Sequence, residues 1–142
     1  LHGQLSETIT WDPPAVSNSV DFVVGEIEAP PLMPQAFDLS IVLNAIDMLE
    51  HPRQLPKLQR KLAAPGGYAI QGSPYVWHPG VIERLKKTNG APSSEMVKKW
   101  YESENLRLCD EVEQVPWLFY KHSRQLELYL VHLFLGRYPK AL

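Results

Sequence analysis

Asn44 stands at the end of an apolar run, and Tyr75, Trp77 and His78 crowd one short loop. Histidine titrates near neutrality and suits proton transfer, a strand-end asparagine offers donors and acceptors, and aromatics with polar tips wall off a ligand. His122 and Arg124 form a second polar pair behind an aromatic stretch of Trp117, Leu118, Phe119 and Tyr120. No complete catalytic pattern joins these groups, so spacing assigns no catalytic residue. His2, His51, His78, His122 and His132 lack any i, i+4 pairing, and the one cysteine, Cys109, excludes a C-x-x-C; a metal centre is not expected. Ser73 precedes a proline and lacks the G-x-S-x-G elbow that exposes an activated serine, so it reads as a turn residue.

The surrounding patterns predict the elements that carry these groups. Residues 39–43 form a short, branched, apolar run that predicts a strand buried on both faces of a parallel sheet. Residues 53–62 set Leu55, Leu58 and Leu62 at helical spacing behind Pro52, as an amphipathic crossover helix requires. Pro65-Gly66-Gly67 then stops the helix and reverses the chain into a strand over 68–71. One right-handed βαβ unit results. The loop over 72–80 falls at its carboxyl edge, where open α/β sheets favour ligands. Helices are predicted at about 80–87 and 94–102, the second capped by Ser93 or Ser94 with Glu95 in its first turn. Residues 106–115 and 124–135 alternate as an antiparallel pair, with Cys109 as a small buried residue. The aromatic stretch 116–123 between them is too long for a tight turn and is expected to wall a pocket.

An apolar strand opened by Phe37-Asp38 and closed by Asn44, followed by a helix that returns through Pro65-Gly66-Gly67, resembles the second half of the class I S-adenosylmethionine-dependent methyltransferases. The resemblance spans roughly residues 21–138. It implies an α/β fold: an incomplete Rossmann-like sheet with a parallel βαβ core and a C-terminal antiparallel hairpin. It also implies S-adenosylmethionine as cofactor. Val24-Gly25-Glu26-Ile27 is similar to the segment after the family's third strand, where an acidic residue contacts the adenine edge. Gly25, Glu26, Ile27, Asn44 and Ala45 are therefore the cofactor-binding candidates, and Tyr75, Trp77, His78, His122 and Arg124 the candidates facing a small-molecule or protein methyl acceptor. Methyl transfer from a sulfonium depends on proximity, orientation and desolvation, with His78 or His122 available to take a proton from the acceptor.

The chain departs from the family in lacking the first strand and its glycine-rich loop; the eight glycines are dispersed. No clear second strand ends in an acidic residue either, and Asp12 before two prolines reads as a turn. A truncated or incomplete chain is expected. Without the first strand the 39–43 strand has an open edge, which predicts cover by residues 5–11, by a second copy in a homodimer, or by a further part of the parent protein. Two alternatives stand beside the enzyme: a non-catalytic methyltransferase-like protein-interaction module, and a different doubly wound α/β enzyme for a nucleotide or acyl group. The 142 residues suit one domain, read as an extended or partly disordered segment over 1–20 and an α/β domain over 21–142. A net charge of -2 gives no support for a nucleic-acid partner. One cysteine, no signal-peptide layout and no apolar run near the ~20 residues of a membrane span predict a cytoplasmic chain with no membrane association.

Overall fold

The apolar stripe of residues 53–62 folds as helix α1 (Gln54–Leu62), burying Leu55, Gln59 and Leu62. It connects strands β1 (Phe37–Leu43) and β2 (Ala63–Ser73), which pair in parallel with Ile41 beside Ile70 and Leu43 beside Gly72. The computed structural model describes Thr10 and residues 20–85, 92–122 and 124–140. Helices α2 (Pro79–Leu85) and α3 (Ser93–Ser103) follow, then strands β3 (Arg107–His122) and β4 (Gln125–Arg137). The strand order is β1-β2-β4-β3, with β4 antiparallel to both neighbours. The fold is thus α/β, with the expected parallel βαβ core and C-terminal hairpin. Residues 1–9 and 11–19, including most of the predicted amino-terminal segment, lie outside the described residues.

Several expectations change. Strand β2 begins directly after α1, so Pro65-Gly66-Gly67 lies within it as an irregularity: the register jumps between Phe37 and Leu39, and Gly66 takes φ 79°. Only glycine adopts that backbone without strain. Residues 116–122 extend β3 instead of forming a loop, leaving a tight connection between His122 and its partner Gln125. Cross-strand pairs of Trp117 with Tyr129, Leu118 with Leu128 and Tyr120 with Leu126 favour pairing over a loop. Ser93 is the first residue of α3 and not its cap; Pro92 holds the cap position without a side-chain hydrogen bond. Cys109 is exposed, because the register shift between Leu108 and Asp110 leaves it as the extra residue of a bulge. Residues 20–26 are not a strand, and Val24 is almost fully exposed.

All three helices contribute to one side of the sheet. Ile46, Leu55, Ala69, Val97, Tyr101 and Phe134 are buried there, with Leu85 packed against the same cluster. Gln59 and Gln71 sit inside this layer: the Tyr101 hydroxyl reaches both carboxamide oxygens, and Gln59 Nε2 donates to Ser40 Oγ at 2.9 Å. The other side is different. Leu39, Ile41 and Leu43 are 44%, 55% and 54% exposed, contrary to the expectation of burial on both faces. Their cross-strand neighbours continue an apolar surface through Ile70, Leu135 and Leu133, over which no described helix packs. Beyond the end of β2, strands β3 and β4 project as a two-stranded arm. Among the described residues, no helix is long and apolar enough to cross a membrane.

Candidate functional site at the carboxyl edge of the sheet

Strand β1 gives way to Asn44, whose amide still donates to the Gly72 carbonyl at 2.8 Å while its φ turns to 54°. Asparagine tolerates this left-handed conformation better than most residues, so the strand breaks sharply at its carboxyl end. A 3-10 turn over Ile46–Met48 then directs Ile46 and Asp47 inward, with Asp47 only 3% exposed. Asp47 clasps the next loop: Oδ2 accepts the Val76 amide at 2.8 Å, and its carbonyl accepts the His78 amide at 3.0 Å. Asp47 Oδ1 and Asn44 Oδ1 are both buried without a hydrogen-bond partner.

The loop held by Asp47 carries Tyr75 at φ 56°, a strained conformation for an aromatic residue. Its amide donates to Ser73 Oγ at 2.9 Å, and its hydroxyl lies 2.7 Å from Nδ1 of His132. Burial, reinforced by the carboxylates of Glu113, Asp47 and Glu111, raises the Tyr75 pKa and keeps the phenol protonated. The Glu111 carboxylate can only accept, so it takes the His132 Nε2–H at 2.8 Å; in the neutral imidazole Nδ1 is then the acceptor, and the Tyr75 hydroxyl donates to it. The same Glu111 oxygen takes Lys98 Nζ at 2.7 Å, and Lys98 also reaches Glu95 at 2.7 Å. The hydrogen bond from Lys98 is the largest influence lowering the Glu111 pKa. Trp77 stacks on Tyr75 with centroids 5.7 Å apart, meets Trp100 edge-on, and donates Nε1–H to Ser93 Oγ at 3.0 Å.

The sequence candidates separate into groups. Asn44 closes β1, Ala45 accepts the Met48 amide at the turn that carries Asp47, and Tyr75 and Trp77 flank Val76, whose amide Asp47 accepts. His78 is exposed at the start of α2, its carbonyl accepting the Val81 amide and its Nδ1 the Gly80 amide. His122 and Arg124 lie at the tip of the arm, where His122 pairs with Gln125. Gln125 is seven residues along β4 from His132, which at strand rise places this tip roughly 23 Å from the relay. Gly25, Glu26 and Ile27 belong to an exposed turn region, and the neighbouring Glu28 accepts the His51 amide at 3.3 Å.

Sequence reasoning missed Asp47, His132, Glu111 and Lys98. Asp47 lies three residues beyond the strand-end asparagine with no motif around it, and His132 is one of five histidines without a helical pairing partner. The signal for the relay was weak: an E-x-E at 111 and 113 facing a lone histidine across a hairpin. A bulge between Val112 and Val115, with Gln114 at φ 59°, sets that register. Oxygens of Glu111 and Glu113 and a nitrogen of His132 lie within 4.8 Å of one another, a grouping with metal-ligand chemistry. Lys98 already supplies the cation at Glu111.

Comparison with known proteins gives a fold. No family model matches the chain, and no curated protein matches it in sequence. Solved structures do. A chain from the Haloferax volcanii complex between the Trm112 methyltransferase activator and a methyltransferase superposes with TM-score 0.61 and 13% identity, over 89% of this chain and 64% of that one. A SAM-dependent methyltransferase of Methanosarcina mazei gives 0.60 and 10%, over 91% and 74%. The N-methyltransferase NodS of Bradyrhizobium japonicum gives 0.51 and 22%, over 82% and 58%. The fold is that of the class I methyltransferases, present in part: the chain spans about two thirds of the length of these structures.

Proposed function

We propose that this chain is the carboxyl-terminal portion of an S-adenosylmethionine-dependent methyltransferase and carries one wall of its cofactor and acceptor site. The observation that carries the reading is the uncovered sheet face. A parallel pair of strands ordinarily has helices on both sides, yet Leu39, Ile41 and Leu43 face outward beside a β1 edge that has no partner among the described residues. The family's further strands and helices would occupy both places. The residues present fit half of the cofactor site: Asn44 and Asp47 offer buried acceptors lacking donors, at the strand edge where the fold binds ligands. They do not supply the family's glycine-rich loop. Among the described glycines, added Cβ atoms at Gly67, Gly72 and Gly136 would strike the chain itself, so these glycines serve internal packing.

In this reading Asn44 and Ala45 border the cofactor, with Gly25, Glu26 and Ile27 reaching it from the preceding segment, while Tyr75 and Trp77 face the acceptor. The cofactor supplies an electrophilic methyl on a sulfonium. Asp47 fixes the loop, and the His132–Glu111 relay orients the Tyr75 hydroxyl. His78 lies beside this wall; His122 and Arg124 reach an acceptor only if it extends along the arm. The small-molecule or protein nature of the acceptor, a cytoplasmic setting and a homodimer through β1 belong to the same proposal.

Titration calorimetry with S-adenosylmethionine tests it, using this chain and the longer protein. Binding by the longer protein, weakened roughly tenfold or more by Asn44→Ala, is expected. Equal affinity in Asn44→Ala and Glu26→Ala variants would defeat the site assignment. One observation favours a second reading, a non-catalytic interaction module: Leu118, Tyr120, Leu126, Leu128 and Leu130 form an apolar ladder on the arm, each more than half exposed. Absence of cofactor binding in the longer protein would select that reading.

A further inference from the structure

We propose that the groove between the start of α1 and α2 binds the anionic group, carboxylate or phosphate, of a small molecule. The groove encloses a hollow of about 430 Å³ lined by His51, Arg53, Lys57 and Arg84, with Glu50 as the one carboxylate among its described lining residues. Beneath these groups Pro52 and Val81 are buried as the floor of the groove, and Leu85 is partly exposed to it. Three permanent cations therefore face one carboxylate, in a chain whose net charge is -2. A second hollow of about 320 Å³ shares Glu50 and Arg84 and continues to His78 and Met48.

The charge pattern around α1 is opposite to what a helix start ordinarily carries. The amino end of a helix is electropositive and favours acids, yet the first turn of α1 has none, and Arg53 occupies its cap position without a side-chain cap. Glu28, from an exposed segment, brings a second carboxylate to the rim, where it accepts the His51 amide at 3.3 Å. Cations crowded at a positive helix end repel one another, and a bound anion relieves that repulsion. Two of the guanidinium groups are already held in place. Arg84 donates to the Glu50 carbonyl at 2.5 Å, and the Arg53 guanidinium lies 5.3 Å above the Trp100 ring. Preorganised forks suit planar oxyanions and lose little freedom on binding. The hollow is larger than an oxyanion needs, so the anion is one end of a ligand whose remainder lies against the partly exposed Leu85.

This inference stands on the groove and is independent of cofactor binding. The test is an amide NMR titration of the chain with sodium phosphate and, separately, sodium malonate, against sodium chloride at matched ionic strength. Saturable shifts at His51, Arg53, Lys57 and Arg84 are expected, for either oxyanion. Lys57→Gln removes an exposed charge without touching the core and should weaken binding about threefold or more. Shifts that do not saturate, that chloride reproduces, or that persist unchanged in Lys57→Gln would overturn the proposal.

Discussion

Tyr75 and Glu111 both hydrogen-bond the ring of His132, one at each nitrogen. Tyr75→Phe removes the donor from Nδ1 and leaves a ring nitrogen unpaired in a residue only 3% exposed. Leaving a buried polar atom unsatisfied costs about 1–3 kcal/mol. Glu111→Ala strands the Nε2–H on the opposite side at a similar cost of about 1–3 kcal/mol, and also releases Lys98 to Glu95 alone. Once one partner is gone, the ring no longer holds a fixed tautomer for the other, so the double variant should be less destabilised than the sum, by about 0.5–3 kcal/mol. Urea unfolding followed by tryptophan fluorescence reads this directly. With a slope of about 1–3 kcal/mol/M, a 2 kcal/mol loss moves the midpoint by roughly 1 M. Additivity within about 0.5 kcal/mol would refute the relay, because it would mean that His132 does not connect the two side chains.

Two further predictions follow from the same packing. Tyr101→Phe should destabilise the chain by about 1–3 kcal/mol in the same assay, since its single hydroxyl proton is shared between the carboxamide oxygens of Gln59 and Gln71 in the buried layer; a loss below about 0.5 kcal/mol would show that these oxygens find other donors. Because the Glu111 pKa is lowered below 4.5 in the fold, its stabilisation is complete above that value and fades as pH falls through the folded value, so acid should loosen the α3–β3 contact before the α1 layer. Hydrogen exchange across pH 5 to 3 checks the order, and early loss of protection in α1 would contradict it.

The β1–α1–β2 unit was legible because its signals are local. Leu55, Leu58 and Leu62 define a helical stripe, and the branched run over 39–43 reads as a strand whatever surrounds it. The Pro65-Gly66-Gly67 turn was placed correctly in sequence but not in structure, because strand pairing with β1 and the contacts of Gly66 and Gly67 with Pro139 and Tyr138 draw it into β2. The burial of β1 was misjudged for a related reason: composition reports that a strand tolerates burial on both sides, whereas only packing decides whether a second layer is there.

Asn44, Tyr75 and Trp77 could be singled out as candidates because a residue type at a predicted strand end or loop is a one-dimensional observation. The groups that hold them were not. Asp47 became a clasp only when a 3-10 turn pointed it inward, and His132 met Glu111 only because a bulge in β3 set the register of a strand pair. Cys109 shows the converse, expected inside and displaced outward by a one-residue bulge. The sequence by itself determined the order of strands and helices and the position of polar residues along it, because hydrophobic period and turn chemistry act over a few residues. The tertiary structure alone decided which face is bare, which carboxylates meet which bases, and that His122 and Arg124 stand far from Tyr75, because register and layer packing depend on residues distant in the chain.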